Sequence, residues 1–168
     1  MSVPENPSVS ENVRQTSRAL VVTPDDRVLL VRYVERSRGV LLTPGGGIEA
    51  GESDHQALRR ELFEEVGLRD PDIGPLVWTS THRHVYGDWA GQTDRIYLVR
   101  AEWFEPCPGL GSDALGAEGI DDIRWMHRGE LRVSPDPVMP RHLLRVLDRL
   151  LPDAPFDHQP DPALRGAA

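Results

Sequence analysis

Three glutamates, Glu61, Glu64 and Glu65, stand at helical spacing in a stretch that follows a run of glycines, Gly45 to Gly47. At about 100° per residue their side chains fall within an arc of roughly 100°. Leu58, Leu62, Phe63 and Val66 occupy the adjoining arc, so one face packs on a core and another presents carboxylates together. Like charges at this spacing destabilise an isolated helix by roughly 0.2–0.5 kcal/mol per pair. Such a cluster suits hard cations, which take oxygen ligands. Read plainly, the same pattern is a solvated acidic face balanced by Arg59 and Arg60. The surroundings favour chemistry: glycine permits close backbone approach to a ligand, and a helix N-terminus favours anions.

The elements that must position these groups can be read from turn signals and periodicity. Ser17–Thr23 and Arg27–Tyr33 read as strands around the turn residues Thr23-Pro24-Asp25-Asp26, a hairpin. Val40–Thr43 is a short third strand stopped by Pro44. Ser53 with Gln56 three residues on makes a capping box, and Gly67 sits where a helix-ending glycine belongs, so the spacing predicts a helix over 53–66. Ile73–Val85 and Thr93–Trp103 are strand-like, Pro106–Gly119 reads as a Gly/Pro/Ala loop, and Asp122–Met126 is a last short strand. Leu143, Leu144, Val146, Leu147, Leu150 and Leu151 recur at helical spacing within 140–151. The expected organisation is a flexible lead-in over residues 1–13, one domain over 14–151 and a Pro-rich tail over 152–168. The class is α+β, a mixed sheet flanked by helices.

Composition narrows the function. The chain has 168 residues, 39% hydrophobic and 27% charged, which fits one domain with its own core. Acidic residues number 27 against 19 basic, for a net charge of −8, and every basic residue is arginine. That balance makes nucleic acid an unfavourable partner, because such binding rests on neutralising phosphates. The lack of lysine excludes Schiff-base chemistry. A phosphorylated substrate would need cations or placed arginines to overcome the protein's own field. No run approaches a membrane span, the polar N-terminus does not read as a signal peptide, and the single Cys107 excludes an internal disulfide. A cytoplasmic protein is the expectation.

Gly46, Glu52, Arg60, Glu61, Leu62, Glu64, Glu65, Gly67 and Leu68 fill all nine fixed positions of a pattern: Gly, five residues, Glu, seven residues, Arg-Glu-aliphatic-any-Glu-Glu-any-Gly-aliphatic. The segment resembles the Nudix box. Seven single-letter matches would arise by chance on the order of once in 10⁸ starting points. The resemblance implies an α/β/α sandwich around a mixed sheet, with this loop and helix as the catalytic element. It implies that Glu61, Glu64, Glu65 and the Gly46 carbonyl bind Mg²⁺ or Mn²⁺, and that Arg60 and Glu52 form an ion pair orienting the metal face. Arg60 cannot be a base at neutral pH. Glu118, in the loop before the last strand, resembles a glutamate that serves some members as base or extra ligand, and Glu61 is the competing base. The implied reaction is hydrolysis of a diphosphate linkage in a nucleoside diphosphate joined to another group. A non-catalytic nucleotide-binding or regulatory module on the same fold is the alternative reading, although no box carboxylate is broken. Family members are often dimers.

Substrate choice lies outside the box. Arg83 and Arg95 are candidate phosphate contacts from the strand pair after the helix, with plain surface charge the alternative. Some ADP-ribose-cleaving members carry a proline about where Arg83 and His84 stand here. Tyr86 lies near the position of a tyrosine found in dinucleoside-polyphosphate hydrolases. A nucleoside triphosphate or dinucleoside polyphosphate is therefore the expected substrate class. His82 and His84 share a strand face without a third ligand nearby.

Overall fold

The computed structural model describes residues 12–35, 37–83 and 88–151. The N-terminal segment before Asn12, the tail from Pro152, His84 and Tyr86 lie outside these described residues. Strand β1 (Val13–Val22) and strand β2 (Arg27–Glu35) form the expected hairpin. Its turn closes through Thr23 N donating to Arg27 O at 3.0 Å, and Asp26 takes a positive φ of 65°. β3 (Arg38–Leu42) and β4 (Gly45–Gly47) follow, then helix α1 (Asp54–Val66), β5 (Ile73–His82) and β6 (Gly91–Arg100).

The expected loop over 106–119 contains a helix, α2 (Ser112–Ala117). Its one buried anchor, Leu115, packs with Leu58, Leu62 and Val66 of α1. Tertiary burial thus overrides a Gly/Ala composition that signals no helix on its own. After β7 (Ile120–His127) come α3 (Arg128–Arg132), β8 (Val138–Met139) and α4 (Leu143–Leu150). α3 and β8 were not legible from the sequence, being too short to show a period.

The sheet runs β5-β6-β1-β2-β3-β8, with β4 paired to β1 and β7 paired to β2. The β1–β6 pair is parallel over ten residues, from Val13↔Gly91 to Val22↔Arg100, whereas β1 runs antiparallel to β2 and β4. Alternation along the strands divides the core in two. Ala19, Val21, Leu29 and Val31 meet α1 and α2. Leu20, Val22, Val28 and Leu30 meet Leu131 of α3 and Leu143, Val146 and Leu147 of α4. This is an α/β/α sandwich around a mixed sheet. No helix among the described residues is long and apolar enough to cross a membrane.

Candidate active site

β4 and α1 meet at one end of β1. The glycine strand pairs antiparallel with β1, Thr16↔Gly47, Ser17↔Gly46 and Arg18↔Gly45. Ile48 N donates to Gln15 O at 3.0 Å. α1 is fixed at both ends: Ser53 Oγ accepts from Gln56 N, the Gln56 side chain accepts from Ser53 N, and Gly67 closes the helix in the left-handed region at φ 77°. An Ala at Gly46 would push its Cβ to 2.5 Å from Glu61 Oε1, so only glycine lets this carboxylate lie against the strand.

Arg60 is the hub. Its Nε and Nη2 donate to Glu52 Oε1 and Oε2, both at 2.8 Å, a two-pronged pair. Nη2 also donates to the Gly47 carbonyl at 3.0 Å. Nη1 donates to Glu61 Oε1 at 2.8 Å and to Glu64 Oε2 at 3.2 Å. The Arg60 bonds hold the Glu52 carboxyl down at about 2. At Glu61 burial outweighs the same guanidinium, and its pKa rises.

Glu65 points elsewhere. It is 2% exposed, accepts from Gly45 N at 2.8 Å through Oε2, and accepts from the Tyr33 hydroxyl at 2.7 Å through Oε1. Burial pushes its carboxyl up to about 7 against those two bonds and Arg18. Burial and the neighbouring Glu65 push the Tyr33 hydroxyl up as well. The three glutamates thus share a helix face but not a common environment. Among the described residues no three His, Cys, Asp or Glu side chains already converge as a metal cage; Arg60 bonds both Glu61 and Glu64, its one positive charge being shared with Glu52. The donor set nevertheless suits a hard divalent cation, since every group is an oxygen donor and each Glu65 oxygen keeps a second lone pair.

Beneath the glycine strand lies a charged pair that the sequence reading passed over. Arg18, 9% exposed, donates through Nε to Asp94 Oδ1 at 3.1 Å. Its Nη1 donates to the carbonyls of Thr43 at 2.9 Å and Gly45 at 3.0 Å. Burial opposes the Asp94 charge, but Arg18, Thr16 and Gln92 together hold its pKa below the usual range. The one available signal was an arginine inside a Val/Leu-rich strand.

The remaining candidates are not gathered at the hub. Arg95 donates to Gln15 Oε1 at 2.9 Å and lies 3.6 Å from Asp54 at the start of α1. Arg83 is exposed just beyond β5. Glu118 is exposed at the C-terminal end of α2, and no described contact joins it to the α1 glutamates. It lies beside Gly119, whose carbonyl accepts from Val34 N at 2.8 Å, next to the Tyr33 that holds Glu65.

The comparisons agree with this architecture. The NUDIX domain family model matches residues 13–150. The NAD-capped RNA hydrolase NudC of Pseudomonas aeruginosa (strain LESB58) is 32% identical over 137 residues, 74% of this chain and 48% of that protein. The chain thus spans about half the length of that relative. The nucleoside triphosphatase NudI of Salmonella paratyphi B is 30% identical over 141 residues, 80% of this chain and 97% of that protein. The NUDIX domain of Shewanella oneidensis NrtR, solved with ADP ribose, superposes with a TM-score of 0.63 at 18% identity, covering 88% of this chain and 92% of that one; at that identity it speaks for the fold alone. With the box complete, the glycine strand against its helix and the family model spanning the described fold, the chain belongs to the Nudix hydrolase family.

Proposed function

We propose that the protein is a divalent-metal-dependent pyrophosphohydrolase that cleaves a diphosphate linkage in a nucleoside diphosphate joined to another group. Its preferred substrates are nucleoside triphosphates or dinucleoside polyphosphates. The observation that carries the reading is the Arg60 hub, which holds Glu52, Glu61, Glu64 and the Gly47 carbonyl within 3.2 Å of one guanidinium. The near-full-length match to a protein named as a nucleoside triphosphatase supports the substrate class.

Glu61, Glu64, Glu65 and the Gly46 carbonyl would hold Mg²⁺ or Mn²⁺. Such an ion supplies charge neutralisation on the phosphate oxygens and on the leaving phosphate. The chain's own residues do the rest. Arg60 and Glu52 lock the loop to the helix, so that the carboxylates do not reorganise during the reaction. Arg18 and Asp94 hold the backbone at Thr43 and Gly45 from below. Water attacks phosphorus, the anhydride P–O bond breaks, and a carboxylate accepts the water's proton. Glu118, outside the helix and free of Arg60, is the proposed acceptor, and Glu61 is the alternative. Arg83, Arg95 and Tyr86 remain proposed substrate contacts.

The test is phosphate release across a panel of nucleoside triphosphates, dinucleoside polyphosphates and ADP-ribose, with Mg²⁺ and with Mn²⁺. Turnover of the first two classes supports the reading. Nucleotide binding without turnover would place the chain among non-catalytic modules.

A further inference from the structure

Three arginines reach the glycine strand, and two are filled by acceptors. Arg60 comes from α1 and is occupied by Glu52, Glu61, Glu64 and Gly47. Arg18 comes from β1 and is occupied by Asp94, Thr43 and Gly45. The third, Arg14, also comes from β1 and lies against Gly47: a Cβ built there would meet Arg14 Nη2 at 3.1 Å and Nε at 3.4 Å. Among the described residues the Arg14 guanidinium has no hydrogen-bond or ion-pair partner, although its backbone is paired with β6. It is half-buried, with a fork of five donors.

An uncommitted, half-buried guanidinium is unusual in a chain of net charge −8. With no lysine present, any cationic contact from the chain to an anionic substrate falls mainly to arginine. Arg95, proposed above as a contact, shares its guanidinium with Gln15, and Arg32 is engaged by Asp121 and Asp136. We propose that Arg14 is a substrate-binding residue whose guanidinium receives non-bridging oxygens of the substrate's di- or triphosphate. The inference rests on the phosphoanhydride reading above and adds the residue that grips the polyphosphate.

Two features of the geometry support it. Gly47 receives both arginines: its carbonyl accepts from Arg60 Nη2 at 3.0 Å, and the space of its absent side chain is taken by Arg14. Successive residues face opposite sides of a strand, so Gly46 turns toward Glu61 and Gly47 toward Arg14. The fork and the Glu61 carboxylate therefore lie on opposite faces of β4, so a polyphosphate that engages both passes over the edge of that strand. The planar fork matches two phosphate oxygens at once.

The experiment is calorimetric titration of the wild type, Arg14→Ala, Arg14→Lys and Arg59→Ala with α,β-methylene ATP and with AMP, all in Mg²⁺. Arg59 is an exposed arginine whose described bond is to its own helix carbonyl at His55, so it controls for net charge. Arg14→Ala should weaken α,β-methylene ATP by about tenfold or more, with partial recovery in Arg14→Lys. AMP, which lacks the outer phosphates, should change little. Gly47→Ala should weaken binding in the wild-type background by displacing the fork, and have no further effect on Arg14→Ala. In turnover, KM should rise while kcat holds. Arg14→Ala binding within about twofold of wild type, a loss no larger than that of Arg59→Ala, or an equal loss toward AMP overturns the inference alone. A wild type that binds neither nucleotide overturns the functional reading and the inference with it.

Discussion

Glu65 couples the site to the stability of the fold. Its carboxyl is 2% exposed and burial lifts it from 4.5 to about 7. Between those values the folded protein keeps a proton that the unfolded chain releases. A raised carboxyl therefore costs stability as pH rises: the Glu65 contribution to metal-free stability is fully present below about 4.5 and is lost as pH climbs through about 7. At 1.36 kcal/mol per pH unit, the loss is at most about 3 kcal/mol, on the order of 10 °C in Tm for a chain of this size. Glu65→Gln mimics the protonated acid. Its amide oxygen can accept from Gly45 N, and its amide N–H can donate to the Tyr33 hydroxyl once that rotor turns. In chelator, urea melts from pH 4.5 to 8 should show the two proteins nearly equal at the acid end. Glu65→Gln should be the more stable by up to about 3 kcal/mol at the alkaline end. A difference that does not change with pH would mean that Glu65 titrates alike in the folded and unfolded states, the opposite of what its burial predicts.

Other expectations follow from the hub. Arg60→Lys cannot restore the planar fork, so kinetics of both Arg60→Lys and Arg60→Ala should show lost activity; Arg60→Ala should lose the more stability, by about 1–3 kcal/mol in chemical denaturation. Glu52 is the opposite case to Glu65: its lowered carboxyl adds stability above pH about 4.5 that is lost as pH falls toward about 2, so acid melts of Glu52→Gln should lack that step. Glu118→Gln should lower kcat by about 10²–10⁴ with substrate binding retained; a loss under about threefold gives the proton to Glu61.

The loop and helix carrying the box were legible because each local signal agreed. Pro44 stops β3, Ser53 and Gln56 cap the helix, and Gly67 ends it; the glycines, expected only to break a strand, instead pair with β1 as β4. The two-pronged geometry of Arg60 with Glu52 follows from their spacing once the loop folds back. What the sequence hid depends on contacts distant along the chain. The helical arc groups Glu61, Glu64 and Glu65, but only the sheet beneath α1 decides that Glu65 is buried on Tyr33 and Gly45. Arg18 and Asp94 are separated by 76 residues, and their meeting requires the parallel β1–β6 pair. α2 was hidden because a single leucine, Leu115, docks it, while α3 and β8 span five and two residues. Nothing local to Arg14 signals that its side chain meets Gly47, 33 residues on, because that contact needs β4 folded back beside β1.

The proposed role of the α1 carboxylates is metal-dependent cleavage of a phosphoanhydride. It is tested most directly by following nucleoside triphosphate turnover by wild type and Glu64→Gln, each with Mg²⁺, with Mn²⁺ and in excess chelator. Glu64 contributes an oxygen 3.2 Å from Arg60 Nη1, and glutamine keeps its shape and helix propensity. Wild type should turn over with either cation and not in chelator, and activity should fall by orders of magnitude in a folded Glu64→Gln. Wild-type turnover in chelator, or full activity in Glu64→Gln, would contradict that role.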